Sequence, residues 1–313
     1  MNSYMMAAGR KTAPVSDCFR LLLPLWCLLL LLPAGCATRL PPVGEELTGR
    51  ERQGVEELFL ATMEQRHRQM QCLDAEAEIQ WRSWLRSGVL PGYLQAMAPN
   101  RLKFVGLDPL GRPALALTTN GETFRLLLVN QALVYQGPTT AEAFRQHLPQ
   151  GLPAERLPES LFAWLFGGMP LEPEIVAVYR APDGRGYWLE VAEPPRARLL
   201  FEPLFDLEPP LKVVGNDDHY PPFRPGTGLV RRIQLFEPDQ RQPAEIIYDD
   251  YRPVPQVGDE PGWLLPHRIE LDSRRHQGLS LSLLLSDLLA DCALRPEDFQ
   301  LPIPAGYTLE TVD

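Results

Sequence analysis

The sequence predicts a mainly β, α+β protein: one open, curved antiparallel sheet or barrel with a few helices against it. Three observations carry this. From residue 72 onward, apolar and polar residues alternate over many short stretches, the period of a half-buried strand. Turn residues separate the stretches at short spacing, Asn120-Gly121 most plainly, so the strands form a meander rather than a βαβ series. Proline, at 33 of 313 residues, is about twice its usual share of roughly 5%. That argues against a helical bundle, since interior proline costs a helix about 3 kcal/mol.

Residues 1–35 read as a leader. Arg10, Lys11 and Arg20 make a basic region with one acid, Asp17. An apolar run from Leu21 to Leu32 follows, then Pro33-Ala34-Gly35 and Cys36. Basic flank, short apolar core and small-residue exit describe a secretory signal. The run is short for a transmembrane helix, which needs about 20 residues; an uncleaved anchor is the alternative. Residues 36–47, with Pro41, Pro42 and Gly44, read as a tether, and 48–313 as one domain.

Within that domain, Val55, Leu58, Phe59, Thr62, Met63 and Met70 recur at helical spacing, predicting a helix over 49–71. Its acids (Glu51, Glu56, Glu57) come early and its bases (Arg66, His67, Arg68) late, which suits the helix dipole. Ala75, Ala77, Ile79 and Trp81 then alternate with polar residues as the first long strand. Further strands are expected near 90–97, 100–107, 113–119, 122–129 and 132–136. Two short helices are expected near 139–147 and 158–166. The second starts at Pro158, ends at Gly167-Gly168, and leaves Trp164 off its apolar stripe. Strands resume near 173–180, 185–192 and 196–201, and again near 228–236, 243–250, 264–272 and 277–285. Between them, 203–226 is rich in Pro, Asp and aromatics and reads as a long insertion. The tail 295–313 reads as ordered and proline-punctuated.

Charge and motifs exclude several functions. The net charge of −10 lacks the basic footprint of a nucleic-acid binder. The five histidines are dispersed, with no HExxH, no Gly-x-Ser-x-Gly and no Cys-x-x-Cys. We therefore expect no enzyme, no cofactor and no metal. Apolar residues are the chemistry on offer, and Trp81, Phe104, Phe124, Leu126, Trp164 and Phe166 are the candidate lining of a cavity. Periodicity alone does not separate lining from core.

Two resemblances sharpen this. Leu32-Pro33-Ala34-Gly35-Cys36 resembles the bacterial lipoprotein lipobox, although Pro33 stands where an aliphatic residue is usual. The resemblance implies lipidation of the Cys36 thiol, cleavage just before it and acylation of the new amine. Ala37 after the cysteine then implies export to the outer membrane. With Cys36 lipidated and Cys18 and Cys27 lost with the leader, Cys72 and Cys292 are either one disulfide or two buried thiols.

The second resemblance spans 101–170. Arg101-Leu102, Asp108-Pro109-Leu110-Gly111, the Leu152-Pro153 to Leu157-Pro158 stretch and Trp164-Leu165-Phe166-Gly167-Gly168-Met169-Pro170 resemble the outer-membrane lipoprotein receptor family LolB. Pro296 to Pro302 is similar to wider LolA-like lipoproteins. That implies an unclosed antiparallel barrel with a helical lid and a hydrophobic cavity. It implies a monomer anchored by acyl chains in the outer membrane of a Gram-negative bacterium, facing the periplasm. Its partners would be acylated lipoproteins and a periplasmic LolA-like carrier. In the family, the leucine of the Pro-Leu-Gly loop protrudes and helps insert the cargo lipid; here it is Leu110, between Pro109 and Gly111. Its alternative is a turn residue tucked into the core. The 203–226 segment and the longer tail exceed a plain LolB. An envelope-assembly or stress-sensing module on the same fold, without lipid cargo, is the second reading.

Overall fold

The computed structural model of the chain describes residues 43–83, 86–139, 157–169, 173–192, 196–204, 228–236, 244–254, 263–273, 279–290 and 292–312. The leader, Cys36, the body of the 139–147 helix and nearly all of 203–226 lie outside the described residues. Residues 43–313 form one compact unit.

The elements run β1 (Glu45–Glu46), α1 (Gly49–Gln69), β2 (Cys72–Arg82), β3 (Ser87–Met97), β4 (Arg101–Leu107), β5 (Pro113–Thr119), β6 (Thr123–Leu128) and β7 (Leu133–Pro138). There follow α2 (Leu157–Leu165), β8 (Ile175–Arg180), β9 (Tyr187–Val191), β10 (Arg196–Pro203) and β11 (Gly228–Phe236). The chain closes with β12 (Ala244–Val254), β13 (Trp263–Ser273), β14 (Leu279–Leu289) and β15 (Thr308–Thr311). All strands belong to one sheet, in the order β1-β8-β9-β10-β11-β12-β13-β14-β2-β3-β4-β5-β6-β7-β15. β2 to β7 form one meander and β8 to β14 a second, joined side by side where β14 pairs antiparallel with β2. β1 and β15 lie at the two ends of that order and do not pair, so the curved sheet is open.

At the junction, Cys72 and Cys292 are disulfide-bonded, with Cα atoms 5.9 Å apart across 220 residues of sequence. The bond ties the start of β2 to the end of the β14 segment. It therefore clamps the strand pairing that joins the two meanders.

Helix α1 lies on one face of the sheet, which we call inner. Its stripe Val55, Leu58, Phe59, Thr62, Met63 and Arg66 is buried, the i, i+3, i+4, i+7 pattern of an amphipathic helix. It packs with Val178, Leu189, Leu199, Phe201, Val230, Ile233, Ile246 and Tyr248 in the main core. Phe59 meets Phe201 edge to face, with centroids 5.3 Å apart. Thr62 satisfies its hydroxyl by donating to the Leu58 carbonyl at 2.7 Å. Arg66, one of the late bases that suit the helix dipole, is part of the buried stripe.

Trp164 is likewise buried in the main core with Phe162, Leu165 and Phe166, rather than lying off the stripe of α2. A nine-residue helix with four large apolar residues in its last turns buries more than one face. The link between β6 and β7 is a 3-10 turn over Val129–Gln131, closed by Ala132 in the left-handed region.

The tail is structured on the opposite, outer face. Leu301 and Tyr307 pack on Ala116, Leu127 and Val134. The Phe299 carbonyl accepts from the Thr118 hydroxyl at 2.5 Å, and the Asp298 carbonyl accepts from Lys103 Nζ at 2.7 Å. The chain then turns the sheet edge and adds β15 parallel to β7.

Candidate functional site

The inner face is built from the alternation read in the sequence, carried across hydrogen-bonded neighbours. Register places Phe104 of β4 opposite Leu117 of β5, Leu117 opposite Leu126 of β6, and Leu126 opposite Tyr135 of β7. One step along the strands, Leu115, Leu128 and Leu133 make a second row. Phe104 is buried, but Leu115, Leu117, Leu126, Leu128, Leu133 and Tyr135 are only half-buried. Two adjoining rows of half-exposed apolar side chains on a rigid sheet are a surface for an apolar ligand.

The β4–β5 turn stands at one end of these rows. Asp108 organises it: its carboxylate accepts from the backbone N–H groups of Leu110 and Arg112, both at 2.9 Å. The Arg112 guanidinium grips the same carboxylate at 2.9 and 2.7 Å. The Arg112 amide, and then its guanidinium, hold the Asp108 carboxyl below the usual carboxylate range. Gly111 takes φ +75°, which a side chain would resist. The result is a pinned turn that presents Leu110 with 76% of its surface exposed. Trp81, on the inner face of β2, is also 36% exposed, its ring lying over Gly88.

A partly open pocket of about 300 Å³ lies at the other end of β4, lined by the last turns of α1, the end of α2 and Pro99-Asn100. α2 ends there in a Schellman motif: the Gly168 N–H donates to the Ala163 carbonyl at 2.9 Å and the Gly167 N–H to Trp164 at 3.0 Å. Gly167 sits at φ +65°, and a Cβ there would come within 3.0 Å of the Tyr251 hydroxyl. The buried carbonyl of Phe166, past the end of α2, accepts from Arg66 Nη1 at 2.7 Å, and the Gly228 carbonyl accepts from Nη2 at 3.0 Å. Burial lowers the Arg66 pKa and raises the phenol of neighbouring Tyr251 to about 12.

The candidate lining residues thus separate. Leu126 is on the half-exposed inner face, Phe104 begins its row, and Phe166 lines the 300 Å³ cavity. Trp164 is packed core. Phe124 packs across Gly137 onto Val312, beside Leu117 and Tyr135. Sequence reasoning missed Leu117 and Tyr135, which the alternation of β5 and β7 already placed in phase with Leu126. It also missed Arg66, eleven residues after Val55 and so on the same helix stripe. Among the described residues, no group of three His, Cys, Asp or Glu side chains is placed to hold a metal. None of the helices there is long and apolar enough to cross a membrane.

The open antiparallel sheet with helices on its inner face is a LolA/LolB-like fold. The chain is similar to an outer-membrane lipoprotein-sorting protein domain from Vibrio parahaemolyticus, with a TM-score of 0.51 and 12% identity over 78% of this chain and 97% of that one. It is similar to a DUF1329 family protein from Desulfovibrio piger, with a TM-score of 0.52 and 12% identity over 79% and 97%. A LolA superfamily protein from Nitrosomonas europaea aligns with a TM-score of 0.46 and 10% identity over 79% and 97%. No protein-family model and no curated protein matches the sequence.

Proposed function

We propose that this protein is an envelope lipoprotein that shelters acyl chains on the inner face of β4 to β7 and helps localise other lipoproteins. The observation that carries the reading is the pair of half-exposed leucine rows within this fold. Three long acyl chains hold roughly 45 methylenes, and exposing them to water costs on the order of 35 kcal/mol. Lowering that cost takes apolar shelter and no proton transfer, which suits a binding protein rather than an enzyme. Cys36 supplies the acyl anchor in the outer membrane, and the tether holds the domain on the periplasmic side. Leu110, on its pinned turn, enters the bilayer and leads the cargo out. A periplasmic LolA-like carrier delivers that cargo.

The test is uptake of a fluorescent triacylated peptide by the delipidated protein. Saturable uptake is expected, with loss in Leu117→Glu and Leu126→Glu. Leu110→Glu is expected to keep uptake and lose transfer to phospholipid vesicles. Absence of saturable uptake by the wild type would refute the reading. The second reading, an envelope-assembly or stress-sensing module, draws on the outer face of β3, where Val89 and Tyr93 are 57% and 49% exposed. It predicts a stable protein partner lost on Tyr93→Ala, with no lipid uptake.

A further inference from the structure

The outer face of the first meander has a covered part and an uncovered part. Val105, Ala116, Leu127 and Val134 form a row in register across β4 to β7, and Leu301 and Tyr307 of the tail pack on it. Polar contacts hold this strap. Its carbonyls at Asp298, Phe299 and Leu301 accept from Lys103, Thr118 and Arg125, one donor on each of β4, β5 and β6. The same row continues beyond Val105 to Tyr93 of β3 and Glu76 of β2. There the apolar surface faces water: Tyr93 and Val89, on one face of β3, are both exposed.

The uncovered part carries an open groove of about 350 Å³. Pro91, Tyr93, Leu107 and Leu284 give it apolar walls, and Glu76 and Glu78 of β2 run between them. Register sets the two acids opposite Tyr93 and Pro91 on one side, and opposite Ser286 and Leu284 on the other. Gln80 donates to Glu78 at 2.7 Å, but among the described residues neither acid belongs to an ion pair. The described lining holds no Lys, Arg or His. Cations close by are engaged elsewhere. Arg268, opposite Leu284, pairs with Glu270, and Lys103, two residues before Val105, donates to the Asp298 carbonyl.

The two parts therefore suit opposite occupants. The covered part offers donors and holds a segment that brings carbonyls. The uncovered part offers carboxylates between apolar walls, so a complementary segment brings cations. Spacing adds a second constraint. Glu76 and Glu78 are alternate residues of one strand, about 7 Å apart on the same face, and same-side residues of an extended peptide repeat at that distance. We propose that this groove docks an extended basic segment of a partner protein, with Lys or Arg at alternate positions reaching Glu76 and Glu78. Each cationic side chain lays its methylenes along the apolar walls and sets its charge on a carboxylate. The cation at Glu76 also lies beside the Tyr93 ring, the cross-strand neighbour. The inference rests on the second reading of function, whose outer-face partner it describes chemically, and is independent of acyl cargo on the inner face.

The experiment titrates the full, delipidated protein with a fluorescent capped heptapeptide that alternates threonine with lysine. Two counterparts carry norleucine or glutamate in place of lysine. Salt is held at about 0.15 M, where exposed charges more than about 8 Å apart are largely screened. The lysine peptide is expected to bind about tenfold more tightly than the norleucine peptide, as two exposed ion pairs and one cation–π contact imply. The glutamate peptide is expected not to bind. Glu76→Gln with Glu78→Gln should erase the preference for lysine, and Tyr93→Ala should weaken the lysine peptide by about threefold. Glu57→Gln with Glu310→Gln removes the same charge from α1 and β15 and should leave the preference intact. Equal binding of the lysine and norleucine peptides, a preference that survives the Glu76 and Glu78 changes, or one lost equally in the Glu57 and Glu310 control would overturn the proposal. A stable protein partner lost on Tyr93→Ala, without any lysine preference, would leave the second reading standing and this proposal refuted.

Discussion

The two meanders solve the same burial problem differently. Both carry apolar residues on alternate positions of antiparallel strands. In the second meander, α1 covers the inner face, and Val178, Leu189, Leu199, Phe201, Val230 and Ile233 are almost wholly removed from water. In the first, the tail covers the outer face over Ala116, Leu127 and Val134. The inner rows Leu115-Leu128-Leu133 and Leu117-Leu126-Tyr135 stay half-exposed. One half is a finished core and the other keeps a half-exposed apolar surface. A sheet need not be damaged to leave leucines in contact with water; it needs only that α1 lie over the other half.

The largest effect should come from breaking the clamp that unites the halves. Cys72→Ser with Cys292→Ser is expected to cost up to about 5 kcal/mol in the chain-entropy model, read as a lower denaturant midpoint. An unchanged midpoint would mean that the β14–β2 pairing alone suffices. Next, Phe59→Ala in the packed half should cost about 3–5 kcal/mol, since the ring is fully buried against Phe201. Leu117→Ala in the open half should cost only about 1 kcal/mol. Similar costs at the two positions would erase the distinction between the halves.

A smaller effect is expected at alkaline pH. Burial raises the Tyr251 phenol to about 12, above its ordinary value near 10. The native state thus holds this proton more tightly than the unfolded chain. Its contribution is complete below about pH 10 and is lost as pH rises from about 10 to about 12. The loss amounts to about 2–3 kcal/mol. Tyr251→Phe should flatten that limb of a stability-against-pH curve. Smallest of all, Leu110→Glu should leave stability within about 0.5 kcal/mol of wild type in thermal unfolding, because the side chain touches little.

Much of this was legible in the sequence because alternation and turn chemistry are local. Alternation from Ala75 to Arg82 marks β2, and Asp108, Pro109 and Gly111 mark a turn that displays its leucine. β15 was not legible: Thr308–Thr311 carries no apolar stripe and exists by pairing with β7, a partner far away in sequence. Phe104 and Leu126 share one row, yet one is buried and the other half-exposed. What decides that is the position of α1 and α2, which no strand period encodes. Arg66 was read only as a base suited to the helix dipole, while its place on the Val55 stripe puts it inside, where two carbonyls receive it.

The distinction between a finished core and a half-exposed apolar surface is tested most directly by photo-crosslinking. A triacylated peptide with a photoreactive group at mid-chain is bound, irradiated and mapped by peptide mass spectrometry. Crosslinks are expected at Leu115, Leu117, Leu126, Leu128 and Tyr135, with none on the α1-covered strands β9 to β11. Crosslinks confined to the outer face, or spread evenly over both meanders, would contradict it.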